Sequence, residues 1–508
     1  MGLLNSIFRW FILDRNKQIE NFSKRPFEAQ HKVLADLISC AENTEWGKKH
    51  HYNEIKDYKL FADRVPIQDY NAIKPYVDRN MKGEQNLLWH TNINWFAKSS
   101  GTTDDRSKFI PVSNESLQAC HYKAGKDLYA MYYNMYPDAS LIDGKSLVLG
   151  GSHQVHQFND HCKYGDLSAV LMQNLPIWAE AKRVPDLSIA LMDNWEEKIE
   201  LMAKATVNQD ITNILGVPTW TVILIKRLFE MTGKDNLADI WPNLELYVHG
   251  GVSFTPYRDL FKDLIRSDKM HYLETYNASE GFFAIQDRLS EQDMLLMLDY
   301  GIYYEFIPAD EMDSENPNAI PLEEVKTDVN YAVVITTNGG LWRYMVGDTI
   351  KFTSTNPYRI KVSGRTRHFI NAFGEEVIIE NAEKALAEAC AKTNCLISDY
   401  TAAPVYFSSG GNGAHEWLIE FEQEPDNLDV FIDTLDNKLR EINSDYDAKR
   451  FKNIALGRPM VRPVNRGTFY NWMKKRGKLG GQHKVPRLAN TRQFVDDILA
   501  FTKETEAV

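Results

Sequence analysis

Apolar and polar positions along this chain follow two rhythms, a helical one at the start and a strand-like one through the middle. Residues 1 to about 60 carry apolar side chains at helical spacing, among them Phe27, Leu34, Leu37 and Ile38, and predict helices. Residues 1–13 are apolar but broken by Asn5 and Arg9, with Asp14 and Arg15 next and no small-residue cleavage site, so they predict the start of a helix rather than a signal peptide. Residues 66–70 predict a turn into a helix. Residues 93–97 and 109–112 read as strands flanking a polar loop, and Ser113-Asn114 offers an N-cap for a helix to about Tyr136.

Further on, residues 145–151 read as a buried strand ending in Gly150-Gly151. Residues 211–231 are apolar, broken at Gly216-Val217-Pro218, with Val222, Leu224, Ile225, Leu228 and Phe229 on one buried helix face; core and the wall of a substrate pocket both fit that face. Residues 244–248 alternate like a strand and run into His249-Gly250-Gly251. A helix bearing Tyr257, Leu260, Phe261, Leu264 and Ile265 follows, and then a strand over 270–276. This strand, helix, strand order predicts a parallel sheet with ligands at the C-terminal strand ends. Residues 331–337 predict a strand, Asn338-Gly339-Gly340 a turn, and 341–346 a returning strand that ends in Gly347-Asp348. The acidic residues of 300–330, Glu305, Asp310, Glu311, Asp313, Glu315, Glu323 and Glu324, read as solvated loops and edges.

Near residue 355 the texture changes. A helix over 381–391, a strand over 417–421 and a helix with Leu428, Phe431, Ile432, Leu435, Leu439 and Ile442 on one face predict a smaller α+β domain of about 150 residues. The expected fold class is α/β: a large N-terminal domain, 1–358, of β-sheets flanked by helices, and a small mobile C-terminal domain, 359–508.

Length agrees, because 508 residues exceed one compact core. A net charge of -12 argues against sequence-independent nucleic-acid binding, which needs a basic face. Five scattered cysteines suggest reduced thiols and a cytoplasmic protein. No stretch approaches a membrane span. The tail is locally basic, with Lys474, Lys475, Arg476, Lys478, Lys484 and Arg487, which suits either a solvated face or a phosphate-facing one.

Candidate chemistry centres on residues 98–108. The hydroxyls of Ser99, Ser100, Thr102 and Thr103, the freedom of Gly101 and the charge of Lys108 together suit phosphate oxygens, although a solvated hairpin loop has the same composition. The spacing is not that of a Walker loop. His153, His156, His161 and Cys162 raise a zinc site, but no second ligand pair stands elsewhere, and a polar loop near a pocket is the better reading. Tyr276-Asn277-Ala278-Ser279-Glu280-Gly281 offers an aromatic face for a purine and a carboxylate for Mg²⁺, or a simple turn. Asp348 suits the hydroxyls of a ribose, or a turn.

Taken in order, the Ser/Thr/Gly loop, Tyr276 to Glu280, Arg343 to Asp348, Gly364-Arg365 through Gly374-Glu375 to Ile379-Glu380, and Gln482-His483-Lys484-Val485-Pro486-Arg487 resemble the adenylate-forming superfamily. Within it they look most like the bacterial branch of the auxin-responsive promoter family of acyl-acid amido synthetases. The resemblance spans most of the chain. Asp105 departs from it, standing where that loop often carries glycine; a carboxylate there is unfavourable unless it turns away or pairs with Arg106.

The resemblance implies a two-step reaction. A small carboxylic acid attacks ATP to give acyl-AMP, and an amine, as of an amino acid, then displaces AMP. It implies that Ser99, Ser100, Gly101, Thr102, Thr103, Lys108, Gly250, Gly251, Tyr276, Ala278, Ser279, Asp348 and Arg365 bind ATP or AMP, and that Glu280 holds Mg²⁺. It also implies that Lys484 is delivered into the cleft as the small domain turns about Gly364. A thiol acceptor, as in acyl-CoA ligases, and a non-catalytic nucleotide-binding protein are the competing expectations.

Overall fold

Runs of β-branched and aromatic residues with no polar face are buried on both sides when they pair. The computed structural model of the chain describes residues 3–99, 108–150, 155–192, 194–252, 254, 257–312, 314, 317–365, 369–407, 413–453, 455–476 and 486–506. Its strands are β1 (Trp95–Ser99), β2 (Lys108–Val112), β3 (Lys145–Val148), β4 (His156–Asn159), β5 (Cys162–Gly165), β6 (Arg183–Val184), β7 (Ile211–Leu215), β8 (Leu246–Gly250), β9 (His271–Ala278), β10 (Gly281–Ile285), β11 (Met294–Leu296), β12 (Ile302–Pro308), β13 (Ile320–Pro321), β14 (Asn330–Thr337), β15 (Tyr344–Thr355) and β16 (Tyr358–Arg365). The C-terminal unit adds β17 (Phe369–Ile370), β18 (Val377–Ile378), β19 (Leu396–Val405), β20 (Ala414–Gln423) and β21 (Met460–Val464).

Twelve strands form one sheet in the order β13-β12-β14-β15-β16-β11-β10-β9-β8-β7-β3-β6. β6, β3, β7, β8 and β9 are parallel, as helical crossovers require. β9 turns back at Ser279 and Glu280 into β10, with Ala278 opposite Gly281, and pairing is antiparallel from there on. A second, four-stranded sheet, β2-β1-β5-β4, carries the hairpin that closes with Ser99 opposite Lys108. The observed β1 starts two residues later than the expected strand at 93–97.

Helices cover the sheets. α1 (Leu3–Lys24) is tied to α2 (Tyr122–Met135) through Arg15, whose guanidinium donates to Asp127 at 2.7 Å and to Asp299 at 2.6 Å. Ser113 caps the expected helix by accepting from the Ser116 N–H, but the helix passes through a π-helical segment, Leu117–His121, before α2. The apolar run 211–231 divides into β7 and α3 (Pro218–Thr232), with Pro218 in the first turn, where its missing N–H is harmless. Val222, Leu224, Ile225 and Leu228 are buried in the core, and Phe229 packs partly buried against it.

In the C-terminal unit, α4 (Ile379–Thr393), α5 (Leu428–Ile442) and α6 (Ser444–Arg450) accompany the three-stranded sheet β19-β20-β21. β16 pairs with both β15 and β11, so residues 358–365 belong to the large sheet rather than to a small domain beginning at 359. The change of composition near 355 marks the β15–β16 hairpin, and pairing carries the chain back into the sheet.

Two further expectations are corrected. Glu305 is not on a solvated edge: it is fully buried in β12, and the Arg343 guanidinium donates to it at 2.8 Å. Arg343 also donates to the carbonyls of Ala62 and Val65, and Tyr58 donates to Glu305 at 3.0 Å. A carboxylate met by this many donors survives burial. The returning strand does not run over 341–346 and stop at Asp348. β15 starts at Tyr344 and continues to Thr355, leaving Asp348 mid-strand opposite Arg365.

Candidate active site

Ligands of open parallel sheets lie at the C-terminal strand ends, and Gly250, Gly251, Tyr276, Ala278, Ser279 and Glu280 lie at or next to two such ends. β8 ends in Gly250, where a Cβ would stand 2.6 Å from the carbonyl oxygen of Thr275 on β9, so only glycine fits. Gly251 follows with φ +80°. β9 ends at Ala278, and the turn residues Ser279 and Glu280 are half-buried. Tyr276 is buried, packs its ring against Phe283 at 4.8 Å, and donates its hydroxyl to Asp348 Oδ2 at 2.7 Å. That bond joins two motifs 72 positions apart. Asp348 thus arrives from β15 by sheet pairing and not from a turn.

Lys108 opens β2, and its ammonium lies 6.0 Å from the ring centroid of Tyr70. Ser99 closes β1. Ser100, Gly101, Thr102 and Thr103 lie outside the described residues, as do Asp105, Arg106 and Lys484. Gly364, with φ +154°, and Arg365 are the last residues of β16. Among the described residues no group of three or more His, Cys, Asp or Glu side chains could hold a metal. A lone Glu280 nonetheless suits Mg²⁺, which takes one or two carboxylates and fills its remaining positions with substrate phosphates and water.

The C-terminal unit docks beside these strand ends. Tyr257 donates to the Ala372 carbonyl at 2.8 Å, Thr219 to that of Phe373 at 3.3 Å, and Asn371 Nδ2 to that of Gly251 at 3.5 Å. The turn after Asn371 is stiffened from within. Buried Glu375 accepts from the Ala372 and Phe373 N–H groups at 3.1 and 2.7 Å and pairs with His415 Nε2 at 2.7 Å. Burial alone would raise the Glu375 pKa, but His415 and the backbone donors hold it below the usual carboxylate range. Lys449, also buried, sets its ammonium 4.7 Å from the ring centroid of Trp220 on α3.

Two histidines at this edge were not singled out by sequence. His249 stacks on Phe254 at 3.9 Å, and burial, aided by Arg258, pushes its pKa down to about 3. His121 ends the π-helical segment, and burial alone pushes it down to about 4. The one available signal for His121 was its place early in a helix that follows the hydroxyl-rich loop.

Family models cover most of the chain: the GH3 family N-terminal domain matches residues 15–270, the central domain 295–365 and the C-terminal domain 380–493. Indole-3-acetic acid-amido synthetase GH3.3 of Arabidopsis thaliana is 24% identical over 92% of this chain and 90% of its own length. 4-Substituted benzoates-glutamate ligase GH3.12 of the same plant is 22% identical over 93% and 94%. Among solved structures, GH3.15 acyl acid amido synthetase superposes with a TM-score of 0.61 at 18% identity, covering 96% of this chain and 95% of that one. The curated relatives are named amido synthetases or ligases, and the solved structure an acyl acid amido synthetase. The chain belongs to the GH3 family. No helix among the described residues is long and apolar enough to cross a membrane.

Proposed function

We propose that this protein joins a small carboxylic acid to the amine of an amino acid, consuming ATP, at the edge formed by Gly250, the 276–280 turn and Asp348. In the first step a carboxylate oxygen of the acid attacks the α-phosphorus of ATP. The bond from that phosphorus to the β-bridging oxygen breaks, and pyrophosphate leaves. In the second step the neutral amine nitrogen attacks the acyl carbon. The carbon–oxygen bond to phosphorus breaks, AMP leaves and the amine proton passes to solvent.

The observation that carries this reading is the Tyr276–Asp348 hydrogen bond, which sets an aromatic ring, a ribose-type carboxylate and the Glu280 turn side by side. Tyr276 flanks the adenine, and Asp348 accepts from the ribose hydroxyls. Gly250 and Gly251 admit the nucleotide close to the backbone, and Ala278, Ser279 and Arg365 line it. Ser99, Ser100, Gly101, Thr102, Thr103 and Lys108 hold the outer phosphates. Glu280 would hold Mg²⁺, which would supply charge neutralisation at the phosphates. Lys484 reaches the α-phosphate from the C-terminal unit, which turns about Gly364. Such a reaction needs positioning and charge neutralisation more than an elaborate acid or base.

Exchange of labelled pyrophosphate into ATP that depends on an added carboxylic acid tests the first step. Trapping the product with an amino-acid mixture or with CoA tests the acceptor. Amide and no thioester is the expected outcome; thioester alone, or no exchange with any acid, would refute the reading.

Asp348 gives a second expected result. Asp348→Ala should weaken ATP binding by about 2–3 kcal/mol, the scale for hydrogen bonds to a charged acceptor. The wild-type protein should discriminate against 2′,3′-dideoxy-ATP and the variant should not. Equal wild-type affinity for the two nucleotides would remove Asp348 from the ribose.

A further inference from the structure

Lys484 lies outside the described residues, and the chain on either side of it decides where it can go. On its upstream side stand Gly477, Gly480 and Gly481, a composition that fixes little backbone geometry. On its downstream side the chain is held within two residues. Pro486 has a fixed φ, and its carbonyl accepts from Thr401 Oγ1 at 2.6 Å. The Arg487 carbonyl accepts from the Ala402 N–H at 2.9 Å, and the Ala489 N–H donates to the Ala402 carbonyl at 3.0 Å. Residues 486–489 thus run along the outer edge of β19, opposite β20 and parallel to β19 at Leu488. Asn490 carries the segment on toward the proposed site: its Oδ1 accepts from the Asn371 N–H at 2.6 Å, and Asn371 Nδ2 reaches the Gly251 carbonyl at 3.5 Å.

One side chain fastens this segment at the end nearer Lys484. The Arg487 guanidinium pairs with Asp399 and lies 4.7 Å from the ring centroid of Tyr400. Both partners are themselves fixed: Asp399 accepts from the Tyr400 N–H at 2.8 Å, and the Tyr400 ring is buried and stacks on Trp417. The pair is still reached by water, with 32% of the Arg487 side chain and 26% of the Asp399 side chain exposed, and pairs this accessible add little to stability. What the arrangement supplies is orientation, because a planar guanidinium set between a carboxylate and an aromatic ring has few alternatives. Lys484 is three positions away, so its Cα lies within about 11 Å of that of Arg487.

We propose that Arg487 is a positioning residue for adenylation: held by Asp399 and Tyr400, it fixes the start of the segment that aims Lys484 at the α-phosphate. This rests on the adenylation reading and its assignment of Lys484, and adds to it the residues through which that lysine is placed. Arg487 touches no reacting atom and acts through Lys484. A lysine that stabilises charge only as pyrophosphate leaves must be placed closely, since a displacement of about 1 Å can cost about a hundredfold in rate. Such a loss falls on kcat, because the interaction is absent from the ground state.

The test uses the full chain and reads the two half-reactions apart: acid-dependent ATP–pyrophosphate exchange, and amide formation from chemically prepared acyl-AMP with an amino-acid mixture. Arg487→Met should lower kcat for exchange by about a hundredfold, leave KM for ATP within about threefold, and leave amide formation from supplied acyl-AMP near the wild-type rate. Arg487→Lys, which keeps the charge but not the planar fork, should recover part of the loss. The deciding comparison is made in Lys484→Ala, where adding Arg487→Met should cost nothing further, because the residue it acts through is gone. An equal loss from Arg487→Met in both backgrounds, or in both half-reactions, would make Arg487 a merely structural residue and overturn the proposal. Should Arg487→Met fail to fold, Asp399→Asn takes its place, and wild-type exchange in that variant overturns the proposal by itself. Lys484→Ala exchanging like the wild type would refute the assignment of Lys484, and wild-type protein inert toward every acid would refute the adenylation reading; either result takes this inference with it. Arg487→Met exchanging like the wild type while Lys484→Ala is impaired would refute this inference alone.

Discussion

Arg343→Met is expected to destabilise the protein by about 3–5 kcal/mol, the range for removing one partner of a buried ion pair. Glu305 is fully buried, and Arg343 supplies two of its closest donors, Nη2 at 2.8 Å and Nε at 3.0 Å. Burial raises the Glu305 pKa, and Arg343 opposes that rise. Without the guanidinium, Glu305 must either stay charged in an apolar setting or take up a proton. The sign of the pH dependence follows. The variant's folded state binds a proton more readily than its unfolded state does, so its deficit should be full at neutral pH. It should shrink as pH falls toward the ordinary glutamate range near 4.3. Urea unfolding of the variant and of Arg343→Met/Glu305→Leu at pH 7 and pH 5 checks this. The double variant should recover much of the loss, because the uncompensated charge is gone. A single variant as stable as the wild type, or a double variant no better than the single, would show that the pair is not what holds β12 against the turn before β15. Arg343 belongs to the motif that resembles the family's, yet its bonds are structural. The same substitution should therefore reduce activity only in step with the folded fraction.

Glu280→Gln should do the opposite: leave stability near wild type and remove most acid-dependent pyrophosphate exchange. The side chain sits on a half-exposed turn fixed by the pairing of Ala278 with Gly281. A metal-bound carboxylate at the triphosphate contributes several kcal/mol of transition-state charge stabilisation, so its loss should slow adenylation on the order of a hundredfold or more. Raising the Mg²⁺ concentration should recover part of the rate if the variant binds the ion more weakly. Wild-type exchange in Glu280→Gln would show that the metal is held elsewhere.

Much of this protein was written in local pattern. The strands β1 and β2, the strands β8, β9 and β14, the cap at Ser113 and the helices α4 and α5 all follow from periodicity and capping chemistry, which neighbouring residues determine. The motif order also carried the family before any coordinates. Long-range pairing was not written there. Asp348 reads as a turn residue until β15 finds β16 as its partner, and Tyr276 reaches it only because strands far apart in the chain come together in one sheet. Glu305 reads as a solvated acid until Arg343 arrives 38 positions later to make its burial tolerable. Local sequence sets which face of an element is apolar, because that depends on spacing alone. Register and helix direction depend on which distant surfaces are left to bury, and only the assembled structure decides them.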